Sequence, residues 1–153
     1  MKDIKIRKLK EEDEIPYDLL YLADPSKEAV GDYLERGFCY VAEIGNIVIG
    51  VYVLLPTRPF TAELVNLAVD EDYQNKGLGK MLVNHAIDTA KNLNYKVLEV
   101  GTGNAGIGQL ALYQKCGFTI VSVDFDFFKR HYSEPIFENG IECEHMIRMR
   151  MDL

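Results

Sequence analysis

A glycine-rich turn between a strand and a long helix is the feature that most constrains this fold. AELVNLAV (Ala62 to Val69) has the length and composition of a strand, and QNKGLG (Gln74 to Gly79) follows it. Beyond the turn, apolar residues recur at helical spacing: Leu78, Leu82, Ala86, Ala90 and Leu93. The first N–H groups of a helix lack intrahelical partners and lie at the positive end of its dipole. The turn therefore predicts a phosphate-binding pocket, with an ordinary glycine-rich turn as the alternative.

The length and composition of the chain are typical of one globular domain, residues 1–153. Hydrophobic residues make up 48% of the chain and charged residues 27%. The apolar runs are shorter than the ~20 residues that span a bilayer, and the charged N-terminus does not read as a signal peptide. The 3 cysteines lie far apart and are odd in number. We therefore predict reduced thiols and a cytoplasmic protein without membrane association.

The charge of the chain bears on its partners. The net charge is −7 at pH 7, with 17 basic residues against 24 acidic ones. Proteins that bind nucleic acid phosphates usually carry the opposite sign, so we predict no nucleic acid partner. One interpretation of the acidity is that it keeps the protein soluble. The other is that it mildly attracts cationic substrates such as amines. The histidines and cysteines lack metal-ligand spacing, so no metal is predicted.

The first half of the chain predicts a strand, a helix and a hairpin. IKIRKL, from Ile4 to Leu9, alternates as a first strand. A helix is predicted to begin at Asp24-Pro25, with Asp24 as its cap, and to end at Gly37. FCYVAEI and IVIGVYVLL flank Gly45-Asn46, a two-residue hairpin signal, so the second and third strands are predicted to be antiparallel.

The second half predicts three more strands and a short helix. YKVLEV is the fifth strand, and the short helix runs from about Ile107 to Lys115. FTIVSVDFDFF, residues 118–128, reads as a long sixth strand. ECEHMIRMRM, residues 142–151, alternates and is predicted to pair antiparallel with it. The expected fold class is α/β, a mixed and mostly antiparallel seven-stranded sheet with about four helices.

A second glycine pattern indicates a different function. Gly101, Gly103 and Gly106 satisfy G-x-G-x-x-G, and Asp124 and Asp126 follow roughly 20 residues later, where a dinucleotide-binding fold places an acid. This pattern would predict a nucleotide-dependent oxidoreductase. The architecture argues against it, because only about 45 residues follow the pattern and the strands before it form antiparallel hairpins.

Two motifs carry a resemblance to a known family. NLAVDEDYQNKGLGKMLVNHAI, residues 66–87, resembles motif A of the GCN5-related N-acetyltransferase (GNAT) superfamily, in which a strand L-x-V precedes Q/R-x-x-G-x-G/A. ALYQKCGF, residues 111–118, is similar to motif B, whose core reads L-Y-x-x-x-G-F. The motifs have the family's order and separation, so the resemblance covers nearly the whole chain. The frame LEV around Glu99, together with Asn66, also resembles the ribosomal-protein alanine N-acetyltransferases.

The resemblance implies the GNAT fold, with the sheet splayed between its fourth and fifth strands, and acetyl-CoA as co-substrate. The pantetheine arm would pair with the edge of the fourth strand at Leu67, Ala68 and Val69, and Asn104 would touch its far side. The pyrophosphate would lie on backbone N–H groups of the loop, which are those of Gln74, Asn75, Lys76, Gly77, Leu78, Gly79 and Lys80.

The same resemblance implies the catalytic groups. Tyr113 matches the motif B tyrosine that protonates the departing CoA thiolate, and a phenol with a pKa near ~10 keeps its proton at pH 7. The base that takes the amine proton is open between Glu99, Glu63 and water. The N–H of Val69 would stabilise the tetrahedral oxyanion.

The acceptor and the assembly stay open. A small-molecule amine or a peptide N-terminus fits the chemistry, and a non-catalytic acetyl-CoA sensor or partner-binding domain is the alternative function. A homodimer paired through the terminal strands is one arrangement that the sequence allows. Aromatic and histidine side chains that would line an acceptor pocket are Tyr52, Phe60, Phe128, His131 and Tyr132.

Overall fold

A computed structural model describes residues 3–153 and confirms the mixed α/β architecture. A seven-stranded sheet has the order β1-β2-β3-β4-β5-β9-β6, and a small hairpin pairs β7 with β8. The strands are β1 (Ile4–Lys8), β2 (Phe38–Ile44), β3 (Ile47–Arg58), β4 (Thr61–Val69), β5 (Val97–Gly103), β6 (Thr119–Asp124), β7 (Phe137–Glu138), β8 (Ile141–Glu142) and β9 (Met146–Asp152). The helices are α1 (Tyr17–Ala23), α2 (Lys27–Arg36), α3 (Leu78–Asn92), α4 (Ile107–Lys115) and α5 (Phe127–His131), with a 3₁₀ turn over Glu71–Tyr73.

Helices cover both faces of the sheet and bury two apolar clusters. One cluster includes Leu82 and Ala86 of α3 and Tyr113 of α4. The other includes Leu20 of α1 and Val30 of α2. The periodic apolar residues of α3 face the sheet, because a helical repeat places them along one side. The sheet is therefore the middle of three layers.

Two local predictions were wrong. The sixth strand ends at Asp124 rather than running to Phe128, because Asp126 takes the left-handed conformation (φ 60°) and α5 begins at Phe127. The predicted cap Asp24 lies outside its helix: Ser26 caps α2 by accepting from the Ala29 N–H. The Gly45-Asn46 hairpin, the end of α2 before Gly37 and the short helix α4 are confirmed.

The predicted splay in the sheet has a physical cause in β4. The parallel pairing of β4 with β5 ends at Leu64 and Val100. At the same place the register with β3 shifts, so that Val65 is an extra residue between the pairs Leu54–Leu64 and Val53–Asn66. Such a β-bulge turns the strand and exchanges its two faces. Residues 66–69 consequently pair with β3 but not with β5.

Two further observations concern membranes and metals. None of the helices within residues 3–153 is long and apolar enough to cross a bilayer. Within the same residues, no three His, Cys, Asp or Glu side chains lie close enough together to hold a metal ion.

Candidate active site

The N-terminus of α3 presents unpaired backbone N–H groups. Gly77 is its N-cap residue in the left-handed conformation, with φ 86° and ψ 2°, and no side chain caps the helix. Asn75 is also left-handed, with φ 62°. The first backbone hydrogen bond of the helix runs from the Met81 N–H to the Gly77 carbonyl, so the N–H groups of residues 75–80 have no backbone acceptor within residues 3–153. This is the arrangement that binds phosphate groups.

The loop before α3 is anchored to the end of β4. The Gln74 side chain donates from Nε2 to the Val69 carbonyl at 2.9 Å, and the Gln74 N–H turns to the Glu71 carbonyl at 3.4 Å. Lys76 places its ammonium 5.6 Å from the centre of the Tyr73 ring. The unpaired N–H groups therefore begin at Asn75, one residue later than the sequence predicts.

The open edge of β4 adjoins this loop. Leu67 and Val69 follow the bulge and turn toward α3, where both are half-buried, while Ala68 packs on the α1 and α2 side. Because β5 has already separated from β4, the backbone of residues 67–69 has a strand neighbour on one side only. An extended ligand can pair with such an edge.

Tyr113 is a buried phenol whose oxygen has no hydrogen-bond partner in the described part of the chain. Its side chain is only 6% exposed, and its ring packs edge-on against Phe118 with the ring centres 5.9 Å apart. Within residues 3–153 its hydroxyl has no hydrogen-bond partner. The oxygen is nevertheless not fully enclosed, because Asn66 Oδ1 is the only side-chain polar atom of these residues that is both fully enclosed and unpaired. Burial raises the pKa of Tyr113 well above its ordinary value. The phenol therefore keeps its proton, and its oxygen is free to bond a ligand.

The helix that carries Tyr113 lies beside the first turn of α3. A Cβ on Gly79 would lie 3.5 Å from Leu112 Cδ2 of α4. The positive charge of Lys80 opposes the burial that raises the pKa of the Cys116 thiol at the end of α4. The phosphate-type loop and the phenol thus belong to one region of the molecule.

The two candidate bases face each other across β4 and β5. Glu63 is in register with Glu99, one residue before the last pair of the parallel ladder. Glu99 forms an ion pair with Arg58, with 2.7 Å between Nη2 and Oε2. Glu63 has no hydrogen-bond partner within the described residues, and burial raises the pKa of Glu63, opposed by Arg148.

Asn104 has a different environment from the one predicted. Its side-chain oxygen accepts from the Glu144 N–H at 2.8 Å and from the His145 N–H at 2.9 Å. Its Nδ2 donates to the Glu142 carbonyl at 3.1 Å. These bonds hold the segment before β9 against the end of β5 and leave Asn104 little capacity for the pantetheine arm, so that role stays a prediction without geometric support.

The glycines of the second pattern make room for neighbouring residues. A Cβ on Gly101 would lie 2.7 Å from Met146 Sδ, and one on Gly103 would overlap Cys143 Sγ. A Cβ on Gly106 would lie 2.7 Å from Thr102 Oγ1. Three close approaches explain the three glycines without a nucleotide, which agrees with the architectural argument.

A polar network that the sequence did not predict lies on the α1 and α2 side of the bulge. Asn66, 3% exposed, donates from Nδ2 to the Leu20 carbonyl at 3.0 Å and to the Tyr33 hydroxyl at 2.7 Å. The Tyr33 hydroxyl donates to Asp24 at 3.2 Å, and the Tyr132 hydroxyl donates to Asp24 at 2.8 Å. The network joins β4 to the turn before α2 and to the segment after α5.

Tyr52 lies on the α3 side of the sheet, away from the polar network. Tyr52, predicted to line the acceptor pocket, is fully buried and bonds His85 at 2.8 Å and Thr89 at 3.0 Å, both on α3. No spacing rule joins Asp24, Asn66 and Tyr132, because the chain brings them together from distant positions. A bulge that exchanges the faces of β4 is also invisible in a simple alternation pattern.

Comparison with known proteins identifies the family. Residues 5–118 match the sequence model described as the Acetyltransferase (GNAT) family. The chain is 56% identical over 153 residues to YvbK of Bacillus subtilis (strain 168), described as an uncharacterized N-acetyltransferase, covering 100% of this chain and 99% of that relative. This chain belongs to the GNAT family of acetyltransferases.

Two further comparisons bear on the site. A crystal structure of a GNAT family acetyltransferase from Elizabethkingia anophelis with acetyl-CoA bound matches with a TM-score of 0.98, at 50% identity over 100% of both chains. The [ribosomal protein bS18]-alanine N-acetyltransferase of Salmonella typhimurium is 33% identical over 67 residues, 44% of this chain and 45% of that relative. The local resemblance to alanine N-acetyltransferases is therefore confirmed.

Proposed function

We propose that this N-acetyltransferase moves the acetyl group of acetyl-CoA to a primary amine by direct attack in a ternary complex. The observation that carries the proposal is the run of unpaired N–H groups at residues 75–80 beside the free edge of β4. A small-molecule amine and a peptide N-terminus both suit the chemistry. The Salmonella relative named above modifies an alanine of a ribosomal protein, which supports an amine as the acceptor here.

The residues of the loop and of β4 fit the two parts of acetyl-CoA. The N–H groups from Asn75 to Lys80 would bind the pyrophosphate, because they are unpaired and lie at the positive end of α3. The backbone of residues 67–69 would pair with the amide groups of the pantetheine arm. The Cβ direction at Gly77 meets nothing within 4 Å, so the loop has room for a ligand.

Tyr113 is proposed as the general acid. Its buried ring and raised pKa keep the hydroxyl protonated at neutral pH. Because no group among residues 3–153 bonds this hydroxyl, it is available to donate its proton to the departing thiolate. A phenol that was already donating to a carboxylate would not suit this role.

Glu63 is proposed as the base, ahead of Glu99. The Glu99 carboxylate is paired with Arg58, whereas Glu63 has no hydrogen-bond or ion-pair partner among residues 3–153. Burial moves the pKa of Glu63 upward, toward the range where a carboxylate accepts a proton usefully. Its position beside the bulge puts it where β4 and β5 begin to separate.

A thiol-release assay over a panel of amines tests the proposal. The panel contains small alkyl amines, polyamines, amino acids, aminoglycosides and peptides with free N-termini. Tyr113→Phe should slow turnover by about 10²-fold and leave acetyl-CoA binding nearly unchanged. Tyr17→Phe, at an exposed tyrosine of α1, is the matched control and should behave as wild type.

Two results would count against this proposal. If acetyl-CoA binds but no amine in the panel releases CoA, the chain is better described as an acetyl-CoA sensor. If Tyr113→Phe turns over as fast as wild type, the phenol is not the acid.

A further inference from the structure

Glu63 and Glu99 are neighbours on one face of the sheet. They are direct neighbours in the parallel ladder, and adjacent strands lie about 4.8 Å apart. Leu55 of β3 is in register with Glu63 of β4 and packs into the cluster under α1 and α2. Glu63 and Glu99 therefore lie on the face of the sheet that α1 and α2 cover. Two carboxylates this close disfavour the ionisation of each other.

The two carboxylates have different neighbours. The Arg58 guanidinium lies 2.7 Å from Glu99, whose side chain is 24% exposed, and makes no hydrogen bond to Glu63. Glu63 is also half-buried and has no hydrogen-bond partner among residues 3–153. One carboxylate is therefore held by a guanidinium, and the other has no such partner among the described residues.

We infer that Arg58 and Glu99 are positioning residues for the proposed reaction: their ion pair holds the Glu99 charge beside Glu63 and sets the pH at which Glu63 works as a base. The inference rests on the proposed function, because it assumes that Glu63 takes the amine proton. The negative charge of Glu99 keeps the proton affinity of Glu63 high, and the positive charge of Arg58 limits that effect.

Other charged groups also face this pair. Arg150 is in register with Glu99, and Arg148 is in register with Gly101, on the same face of β9. The charge of Arg148 opposes the rise in the pKa of Glu63. The helix α1 packs on β4, and its titratable residues, none of which hydrogen-bonds Glu63, are Tyr17, Asp18 and Tyr21.

The two halves of the ion pair should therefore act with opposite sign. In Glu99→Gln, loss of the neighbouring negative charge lowers the pKa of Glu63. In Arg58→Gln, loss of the positive charge raises the pKa of Glu63, since Glu99 keeps its charge without a counter-ion. If Arg58 and Glu99 had only a structural role, the two substitutions would not shift the pKa of Glu63 in opposite directions.

The test is a ¹³C NMR titration of the Glu63 side-chain carboxyl in the whole protein, which needs no acceptor. Glu63→Gln assigns the resonance by its disappearance. Arg36→Gln is the matched control, because Arg36 pairs with Asp32 at the same 2.7 Å but on the exposed side of α2. The titration midpoint should move to lower pH in Glu99→Gln, to higher pH in Arg58→Gln, and not at all in Arg36→Gln.

The pH dependence of kcat/KM separates this inference from the proposed function. With an amine substrate, the acidic limb should follow the same two shifts and should vanish in Glu63→Gln. Midpoints that stay in place, or that move in the same direction in both variants, would overturn the inference whatever the base is. If Glu63→Gln keeps the limb while Glu99→Gln loses it, Glu99 is the base and the proposed function is wrong on that point.

Discussion

Replacing Gly77 by alanine tests the phosphate-type loop most directly. Gly77 is the N-cap residue of α3 with φ 86°, a conformation that costs an L-residue roughly 1–2 kcal/mol. A Cβ there would meet nothing within 4 Å, so backbone strain is the whole penalty and no clash adds to it. Gly77→Ala should therefore lower the free energy of unfolding by about 1–2 kcal/mol if the loop keeps its shape.

The loop has a second way to respond. It can relax Gly77→Ala to a negative φ, which relieves the strain but turns the N–H groups of residues 75–80 away from their shared direction. Stability is then nearly retained, and acetyl-CoA binding weakens instead. A relaxation that forfeits about 1.4 kcal/mol of binding energy raises Kd about tenfold.

Thermal unfolding with and without acetyl-CoA distinguishes the two responses. A loss of 1–2 kcal/mol lowers Tm by roughly 2–8 °C in a domain of this size. Gly31→Ala is the control, because Gly31 is an exposed residue inside α2 with an ordinary φ and open space at its Cβ. It should raise stability by about 0.5–1 kcal/mol and leave acetyl-CoA binding unchanged. A Gly77→Ala protein with wild-type Tm and wild-type Kd would refute the reasoning.

Three further predictions follow from the geometry. Because burial raises the pKa of Glu63, the carboxyl stabilises the fold most at low pH, and this contribution is lost as pH rises through the raised pKa of the folded state. The Tm of Glu63→Gln should therefore rise relative to that of wild type between pH 4 and 8. A Tm difference that does not change with pH would contradict the assignment. Tyr132→Phe removes a hydrogen bond to Asp24, so it should cost about 1–2 kcal/mol by chemical denaturation, while Kd for acetyl-CoA stays the same. Gly103→Ala should destabilise the fold by about 1–3 kcal/mol, because its Cβ would overlap Cys143 Sγ. Adding Cys143→Ala should recover part of that loss, whereas additive losses in the double variant would show another cause.

Most of the fold could be predicted from local patterns. The hairpin at Gly45-Asn46 and the helix α4 were predictable because turn residues and apolar periodicity act over a few neighbouring positions. The end of the sixth strand was not, because VDFDFF alternates like a strand while Asp126 takes a left-handed conformation that starts α5. Alternation records which residues are apolar and says nothing of where the backbone turns.

The candidate site divides along the same line. The turn between β4 and α3 could be predicted because it is one continuous stretch in which Gly77 takes a positive φ. The choice between Glu63 and Glu99 could not, because it depends on Arg58, which is 41 positions from Glu99 in the chain. A carboxylate acts as a free base or as half of an ion pair according to its neighbours in space.

The second glycine pattern shows why glycine spacing alone is weak evidence for a ligand. Gly103 and Gly106 lie where close neighbours leave no room for a Cβ, whereas Gly77 has open space and a left-handed φ. The first kind of glycine serves packing, and the second serves a backbone conformation that presents N–H groups outward. Both kinds give the same letter in the sequence. What distinguishes them is whether the space beyond the glycine is filled by the protein or left open, and at Gly77 it is left open beside unpaired N–H groups.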